Sequence, residues 1–422
     1  MTESALPIEN ARVSAAGRWT QLVLGVICMS MIANLQYGWT LFVNPIDDKH
    51  HWGLASIQVA FSVFVLIETW LVPLEGYLVD RYGPKMVGVV SGLLVAAAWT
   101  INAKANSLAM LYVGAVVGGI GAGGVYGACV GNALKWFPDR RGFAAGITAM
   151  GFGAGSALTV YPIANMIQSQ GYEAAFLKFG LAQGIVVFIV GWFLRAPDES
   201  VRFAAPARVT AATATNATPA EMLRSPAFWV MYVMFVLTAT GGLVITAQLK
   251  PIAKDFGLST AQATILGLTV TALPFALAAS RVVNGVSRPF FGWISDQIGR
   301  ETTMFVAFAF EAVVFLLLTK MGSHPASFVV LSCLVFFFYG EIYSLFPAAC
   351  ADSYGRKFAS ANAGVLYTAK GTASLVVPLS SVISAHFGGW NGVFTTMAIM
   401  NAVAAVMAIA FMKPLRAKLV AK

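Results

Sequence analysis

The chain reads as an all-α membrane protein of twelve transmembrane helices arranged as two sets of six, and three observations predict this. Hydrophobic residues fill 58% of the 422 positions and charged residues only 11%, whereas ordinary soluble domains run near a quarter charged. The apolar residues gather in runs of about 20, the length that crosses ~30 Å of hydrocarbon. The third observation is an echo: motifs in the first half of the chain return in the second.

Taken in order, the spans fall at about 20–42, 57–79, 86–104, 108–134, 143–168 and 173–194, then at 226–249, 262–295, 302–321, 325–350, 360–385 and 390–412. Between the sets lies the long polar stretch 196–225, whose Ala/Thr/Pro run reads as a flexible linker. This predicts a six-helix bundle over 1–195, a linker over 196–225 and a second bundle over 226–422.

Of the 27 Lys and Arg residues, 18 fall on the side that carries both termini and the linker, six on the opposite side and three inside spans. By the positive-inside rule the termini and linker are expected in the cytoplasm, as for a multi-pass protein of the plasma (inner) membrane. The net charge of +9 is thereby explained by topology, and nucleic acid is not expected as a partner. No cleavable signal is expected in the polar first 18 residues. Cys28, Cys129, Cys333 and Cys350 show no paired spacing, and His50, His51, His324 and His386 all map to outer loops, so neither a metal nor a cofactor is expected. The chain is expected to work as a monomer in the lipid bilayer.

The echo is specific. Gly76-Tyr77-Leu78-Val79-Asp80-Arg81-Tyr82-Gly83-Pro84-Lys85 is answered by Gly292-Trp293-Ile294-Ser295-Asp296-Gln297-Ile298-Gly299-Arg300, with Asp80 and Asp296 216 positions apart. A second pair, Trp136 to Gly142 and Asp352 to Lys357, repeats at about the same interval. Parallel repeats of this kind build transporters with a central site between two halves. At this point the chain resembles the major facilitator superfamily, whose loop between the second and third helices carries a G-x-L-x-D-R-x-G-R/K pattern. The resemblance implies that fold around a central cavity. It also implies gating loops in which Asp80, Arg81, Asp296 and Arg300 bridge neighbouring helices in one gating state. Gln297 replaces the usual Arg in the second copy.

Arg288 and Lys370 stand near the middle of their spans. A charge there costs roughly 2.5–3.5 kcal/mol on the more lenient scales, so such residues face a cavity and meet a partner. For two fixed cations the natural partner is a small anion. Arg288 is eight residues before Asp296, hence ~12 Å up the helix from the inner surface, and Asn284 lies one turn away on the same face. Glu68, Glu311 and Glu341 are also mid-span, and Arg281 adds a third cation ~10.5 Å outward of Arg288. The resemblance puts the eighth and eleventh helices around the cavity and the second and ninth away from it. Glu68 and Glu311 are therefore expected to serve packing or to pair with Arg281, leaving Glu341, on the tenth helix, as a possible proton site.

The strings Asn284-Gly285-Val286-Ser287-Arg288-Pro289-Phe290-Phe291-Gly292 and Tyr367-Thr368-Ala369-Lys370-Gly371-Thr372-Ala373-Ser374 are similar to those of the oxalate:formate antiporter family. So are Gln36-Tyr37-Gly38-Trp39-Thr40-Leu41, Val125-Tyr126-Gly127 and Tyr343-Ser344-Leu345-Phe346-Pro347. The related monocarboxylate transporters share the Arg-Pro pair. The family resemblance implies that Arg288 and Lys370 bind the two ends of a dicarboxylate: Arg as a planar fork, Lys as a point charge. Gln36, Tyr37, Tyr126, Asn284, Tyr339, Tyr343 and Tyr367 complete the expected substrate site. The walls differ from the family pattern: Glu341 replaces a Gly, Tyr339 and Tyr367 each replace a Trp, and Phe152 replaces a Tyr.

Gly118 to Gly124 and Gly151 to Gly155 look like phosphate loops, but both lie within apolar spans and read as close helix packing. The expected function is secondary transport of small carboxylates, most directly oxalate:formate exchange. Proton-coupled uptake of monocarboxylates through Glu341 is the alternative. A membrane enzyme lacks any cluster of nucleophile, base and metal ligands in the sequence, and a sensor that binds carboxylate without moving it stays open.

Overall fold

The computed structural model describes residues 15–198, 216–377 and 379–420. The chain opens with α1 (Ala15–Tyr37), which ends at Gly38 and turns into α2 (Thr40–His50). The second span is two helices, α3 (Leu54–Trp70) and α4 (Val72–Tyr82), bent by 42° at Leu71. There follow α5 (Pro84–Ala103), α6 (Leu108–Trp136), α7 (Arg141–Gln170) and α8 (Tyr172–Gly191). Ser107 starts α6 by accepting a hydrogen bond from the Met110 N–H, and Pro84 at the start of α5 costs no ladder bond because first-turn N–H groups have no helical partner. Gly83 sits between α4 and α5 at φ 85°, and Gly299, its repeat counterpart, sits at φ 94° in the matching turn. That left-handed backbone is what glycine supplies at low cost.

The described end of the linker is ordered against the second half rather than loose. Asn216 accepts from the N–H groups of Arg356 and Lys357, and the Ala217 N–H donates to the Tyr354 carbonyl. A short helix, α9 (Pro219–Leu223), follows with a capping box. There the Thr218 N–H and hydroxyl donate to the Glu221 carboxylate and hold it below the ordinary carboxylate range. The Ala/Thr/Pro run itself lies mostly outside the described residues.

The second half begins with α10 (Pro226–Asp255). The eighth span is shorter than the sequence suggests: Gln262–Ile265 (β1) and Leu268–Thr271 (β2) pair as an antiparallel hairpin, and the helix α11 runs Ala272–Ile298. Leu266 and Gly267, both at positive φ, make its two-residue turn. The segment carries β-branched Thr264, Ile265, Thr269, Val270 and Thr271, which favour a strand over a helix. Next come α12 (Arg300–Met321), α13 (Pro325–Gly340), α14 (Ile342–Tyr354) and α15 (Ala359–Ser374). The eleventh span is likewise not one helix: α15 stops at Ser374 and α16 (Leu379–His386) completes it. The chain ends with α17 (Asn391–Met407), a π-helical turn over Ala408–Met412 and α18 (Lys413–Val420).

Eight of the described helical stretches are long and apolar enough to cross a membrane, and ten are if each bent pair counts as one span. The remaining two of the twelve predicted spans are α11 and the α15/α16 pair, which carry Arg288 and Lys370. The elements that fall short as membrane spans are thus the ones that hold the charges.

The two halves meet along two antiparallel helix pairs lined by small residues. On one side α7 packs on α11: a Cβ on Gly292 would lie 2.1 Å from the Gly142 carbonyl oxygen, and one on Gly146 would lie 2.4 Å from that of Arg288. On the other, α3 and α4 pack on α15: a Cβ on Gly76 would lie 2.4 Å from the Ser360 oxygen, and one on Gly364 would lie 2.7 Å from that of Val72. The glycine strings of α6 and α7 do the same work, Gly119 against Ile67 and Gly155 against Ser30.

Candidate functional site

Where the paired helices cross, Arg288 and Lys370 are both only 1% exposed. The Arg288 guanidinium donates to the Ala149 carbonyl of α7 at 2.7 Å and to Asn284 Oδ1 at 2.9 Å. Asn284 is in turn anchored by its amide to the Phe336 carbonyl at 3.0 Å, so it aims the arginine rather than offering a free group. The Arg288 Nε has no hydrogen-bond partner, and no carboxylate pairs with Arg288 among the described residues. Gly153 lets the group lie against α7, since a Cβ there would come within 3.1–3.2 Å of Cζ, Nε and Nη2.

Lys370 is differently placed. Its Nζ donates to Glu68 Oε2 at 3.1 Å, to Tyr367 Oη at 2.9 Å and, more weakly, to Gln36 Oε1 at 3.4 Å. Tyr367 donates in turn to Glu68 Oε1 at 3.2 Å. Glu68 is fully buried and pairs with Lys370, so the expected role in packing or in pairing with Arg281 is corrected. The 42° bend after Trp70 and the small Gly371 bring the second span against the eleventh, which sets Glu68 opposite Lys370.

Both cations face the ring of Tyr343, Arg288 Cζ at 4.5 Å from its centroid and Lys370 Nζ at 6.0 Å. The hydroxyls of Tyr343 and Tyr339 are hydrogen-bonded at 2.6 Å. Tyr126 stacks on Tyr367 at 4.1 Å, and Phe152, not singled out as a ligand, lies between Tyr37 at 5.3 Å and the Lys370 ammonium at 5.7 Å. Tyr37 also lies under Arg281 at 5.1 Å, with Phe336 at 5.5 Å. Among the described residues Arg281 forms no ion pair, so the proposed pairing with Glu311 is absent too. Beside the cations, a void bounded by Tyr126, Tyr367, Gly364 and Pro347 measures about 10 Å³, room for about one water.

Among the described residues, four buried acids, not three, stand within the predicted spans. Glu311 on α12 and Glu341 at the joint of α13 and α14 are fully buried, and none of their carboxyl oxygens has a hydrogen-bond partner. Glu75 on α4 is in the same condition, two turns from Glu68, and was not picked out from the sequence because it sits only five residues from the loop aspartate Asp80.

At the basic end the two loop aspartates act alike. Asp80 accepts from the N–H groups of Ser360 at 3.3 Å and Ala361 at 2.8 Å, the second and third residues of α15. Asp296 accepts from Gly142 at 3.1 Å and Phe143 at 2.9 Å, the second and third residues of α7. Each carboxylate thus caps a helix N-terminus in the opposite half, where the helix dipole favours an anion. Lys135 pairs with Asp80, while Arg300 pairs with Asp296 at 2.6 Å and with Asp352 at 2.9 Å. Arg141 reaches across to Asp352 at 2.7 Å. Arg81 does not bridge: it is exposed and bonds Tyr77 one turn back on its own helix. Lys135, Arg141 and Asp352 take the bridging part instead, and the second echo, Trp136 to Gly142 against Asp352 to Lys357, was the signal for two of them.

The sequence profile of the Major Facilitator Superfamily matches residues 22–282 and 260–422. The oxalate:formate antiporter of Oxalobacter formigenes is 34% identical over 393 residues, covering 93% of this chain and 90% of that protein. Monocarboxylate transporter 11 of Mus musculus is 29% identical over 226 residues, 53% of this chain and 47% of the relative. The solved structure of the Escherichia coli fucose:proton symporter FucP superposes with a TM-score of 0.67 at 13% identity, covering 92% of this chain and 97% of that one. The chain belongs to the Major Facilitator Superfamily and, within it, to the family of the oxalate:formate antiporter.

Proposed function

We propose that the chain is a secondary transporter that exchanges small carboxylate anions, in the manner of oxalate:formate antiport, by alternating access of its two halves. The observation that carries this reading is the pair of buried cations, Arg288 and Lys370, facing one tyrosine ring at the seam between the halves. In this reading Arg288 takes one carboxylate at its unpartnered Nε edge and Lys370 takes the other, with Tyr367, Tyr343, Tyr339, Tyr126, Tyr37 and Gln36 as walls and donors and Asn284 as the arginine's support. The bundles 1–195 and 226–422, joined by 196–225, rock about that point as a monomer in the plasma (inner) membrane, with both termini and the aspartate latches cytoplasmic. A bound anion cancels the unpaired Arg288 charge, which resists closure away from water, so the loaded carrier crosses most readily. In liposomes preloaded with formate, external labelled oxalate should accumulate, and uptake should stop when the lumen holds no carboxylate. Equal uptake into empty liposomes sinks the exchange reading.

A second reading, proton-coupled monocarboxylate uptake, has one observation in its favour: the buried Glu341 and Glu311 carboxyls without partners. An uncompensated carboxylate in such surroundings is costly, which suits a proton carrier. Uptake driven by an acid-outside gradient alone, and lost in Glu341→Gln, would favour it.

A further inference from the structure

We infer that Glu68 is a built-in competitor for the Lys370 end of the site, and that by filling it the protein favours ligands with one carboxylate over ligands with two. The inference rests on the carboxylate reading above and concerns which carboxylates the same site prefers. The donors around Lys370 are those a carboxylate subsite needs: an ammonium N–H directed at one oxygen and the Tyr367 hydroxyl directed at the other. The protein already holds a carboxylate there, that of Glu68, at 3.1 Å and 3.2 Å from those two donors. Among the described residues the Arg288 end has no such occupant, for its guanidinium donates to the neutral oxygens of Ala149 and Asn284 and keeps an unpartnered Nε.

The two ends therefore make unequal demands on a ligand. A monoanion can seat at Arg288 and leave Glu68 undisturbed. A dianion must also evict Glu68 from Lys370 and Tyr367, the two donors that hold its carboxylate oxygens. The nearest acid further along the same span is Glu75, itself buried and without a hydrogen-bond partner, so that direction offers the displaced carboxylate no stabilising contact. Removing the Glu68 charge should lift that penalty for dianions and leave monoanions nearly indifferent.

The test uses the purified full-length chain, with oxalate and formate binding followed by calorimetry. Glu68→Gln should tighten oxalate relative to formate by about tenfold or more, within the range typical of coupled sites. Glu68→Asp keeps the charge on a shorter arm and should move the ratio the same way by less, which also covers the case in which Glu68→Gln does not fold. Adding Lys370→Gln to the Glu68→Gln protein should erase the gain for oxalate. An oxalate-to-formate ratio unchanged in both Glu68 variants overturns the inference and leaves the carboxylate reading standing. Failure of the unmodified protein to bind either anion overturns both.

Discussion

Arg288 and Lys370 look equivalent in the sequence, each a lone cation in an apolar span, yet the structure treats them in opposite ways. Arg288 is fixed by neutral oxygens and has no counter-charge among the described residues, whereas Lys370 is already neutralised by Glu68. The chemistry of the side chains accounts for part of this. A guanidinium is weakly hydrated and can be held by carbonyls through its planar fork, while an ammonium is compact and strongly hydrated and fares poorly in a closed site without an anion. In the proposed carboxylate reading, the two-ended site is therefore asymmetric in readiness: one end waits for an anion and the other must give one up.

Measurements can break or sharpen this contrast. The largest effect is expected from Arg288→Gln, which should abolish transport of every carboxylate, a loss of at least about thirtyfold given that truncating one partner of a buried charge contact costs ~2–5 kcal/mol. Residual formate exchange near the normal rate would show that the waiting end is not where the ligand binds. Next comes Gly146→Val, whose side chain would collide with the Arg288 carbonyl at the seam of α7 and α11. Overpacking of this kind costs roughly 1–3 kcal/mol, so the melting temperature of the purified protein should fall together with transport. Lys370→Gln should reduce oxalate exchange about tenfold or more and formate exchange by clearly less, since a single carboxylate still has the arginine fork. Equal losses would remove the distinction between the ends. A smaller effect, of about 0.3–1 kcal/mol, is expected from Asp80→Asn or Asp296→Asn, each of which takes a charge from a helix N-terminus in the other half. It should appear as greater labelling of a cysteine placed at Ser360 or Phe143. Glu341→Gln should be the mildest in exchange assays, and a change in the pH dependence of uptake would move the balance toward the proton-coupled alternative.

Much of this was legible in the sequence because charges inside apolar runs are conspicuous. Arg288, Lys370, Glu341 and the repeat of Asp80 in Asp296 could all be read from position alone. The partnership of Lys370 with Glu68 could not, because the two are 302 residues apart and no local spacing encodes which helices face each other. Topological analogy pointed Glu68 away from the cavity, and the bend at Leu71 is what turns it inward. Glu75 was hidden by its nearness to a charged loop. The hairpin at Gln262 to Thr271 was absorbed into a helix because a short apolar run looks the same to hydropathy in either conformation, although its β-branched residues were a usable sign. Arg81 was assigned its bridging part from a motif, but a motif fixes the residue and not the direction in which its side chain leaves the helix.

The placement of the two aspartates constrains how the protein can move. Each belongs to one bundle and holds the first turn of a helix in the other, so rearrangement confined to either bundle leaves both fastenings intact. In the proposed exchange cycle, opening that end would require the bundles to separate as bodies and to undo the pair together, an all-or-none gate. Covalent tethers within a bundle should be tolerated, whereas a single one between residues 80 and 360 should arrest the cycle.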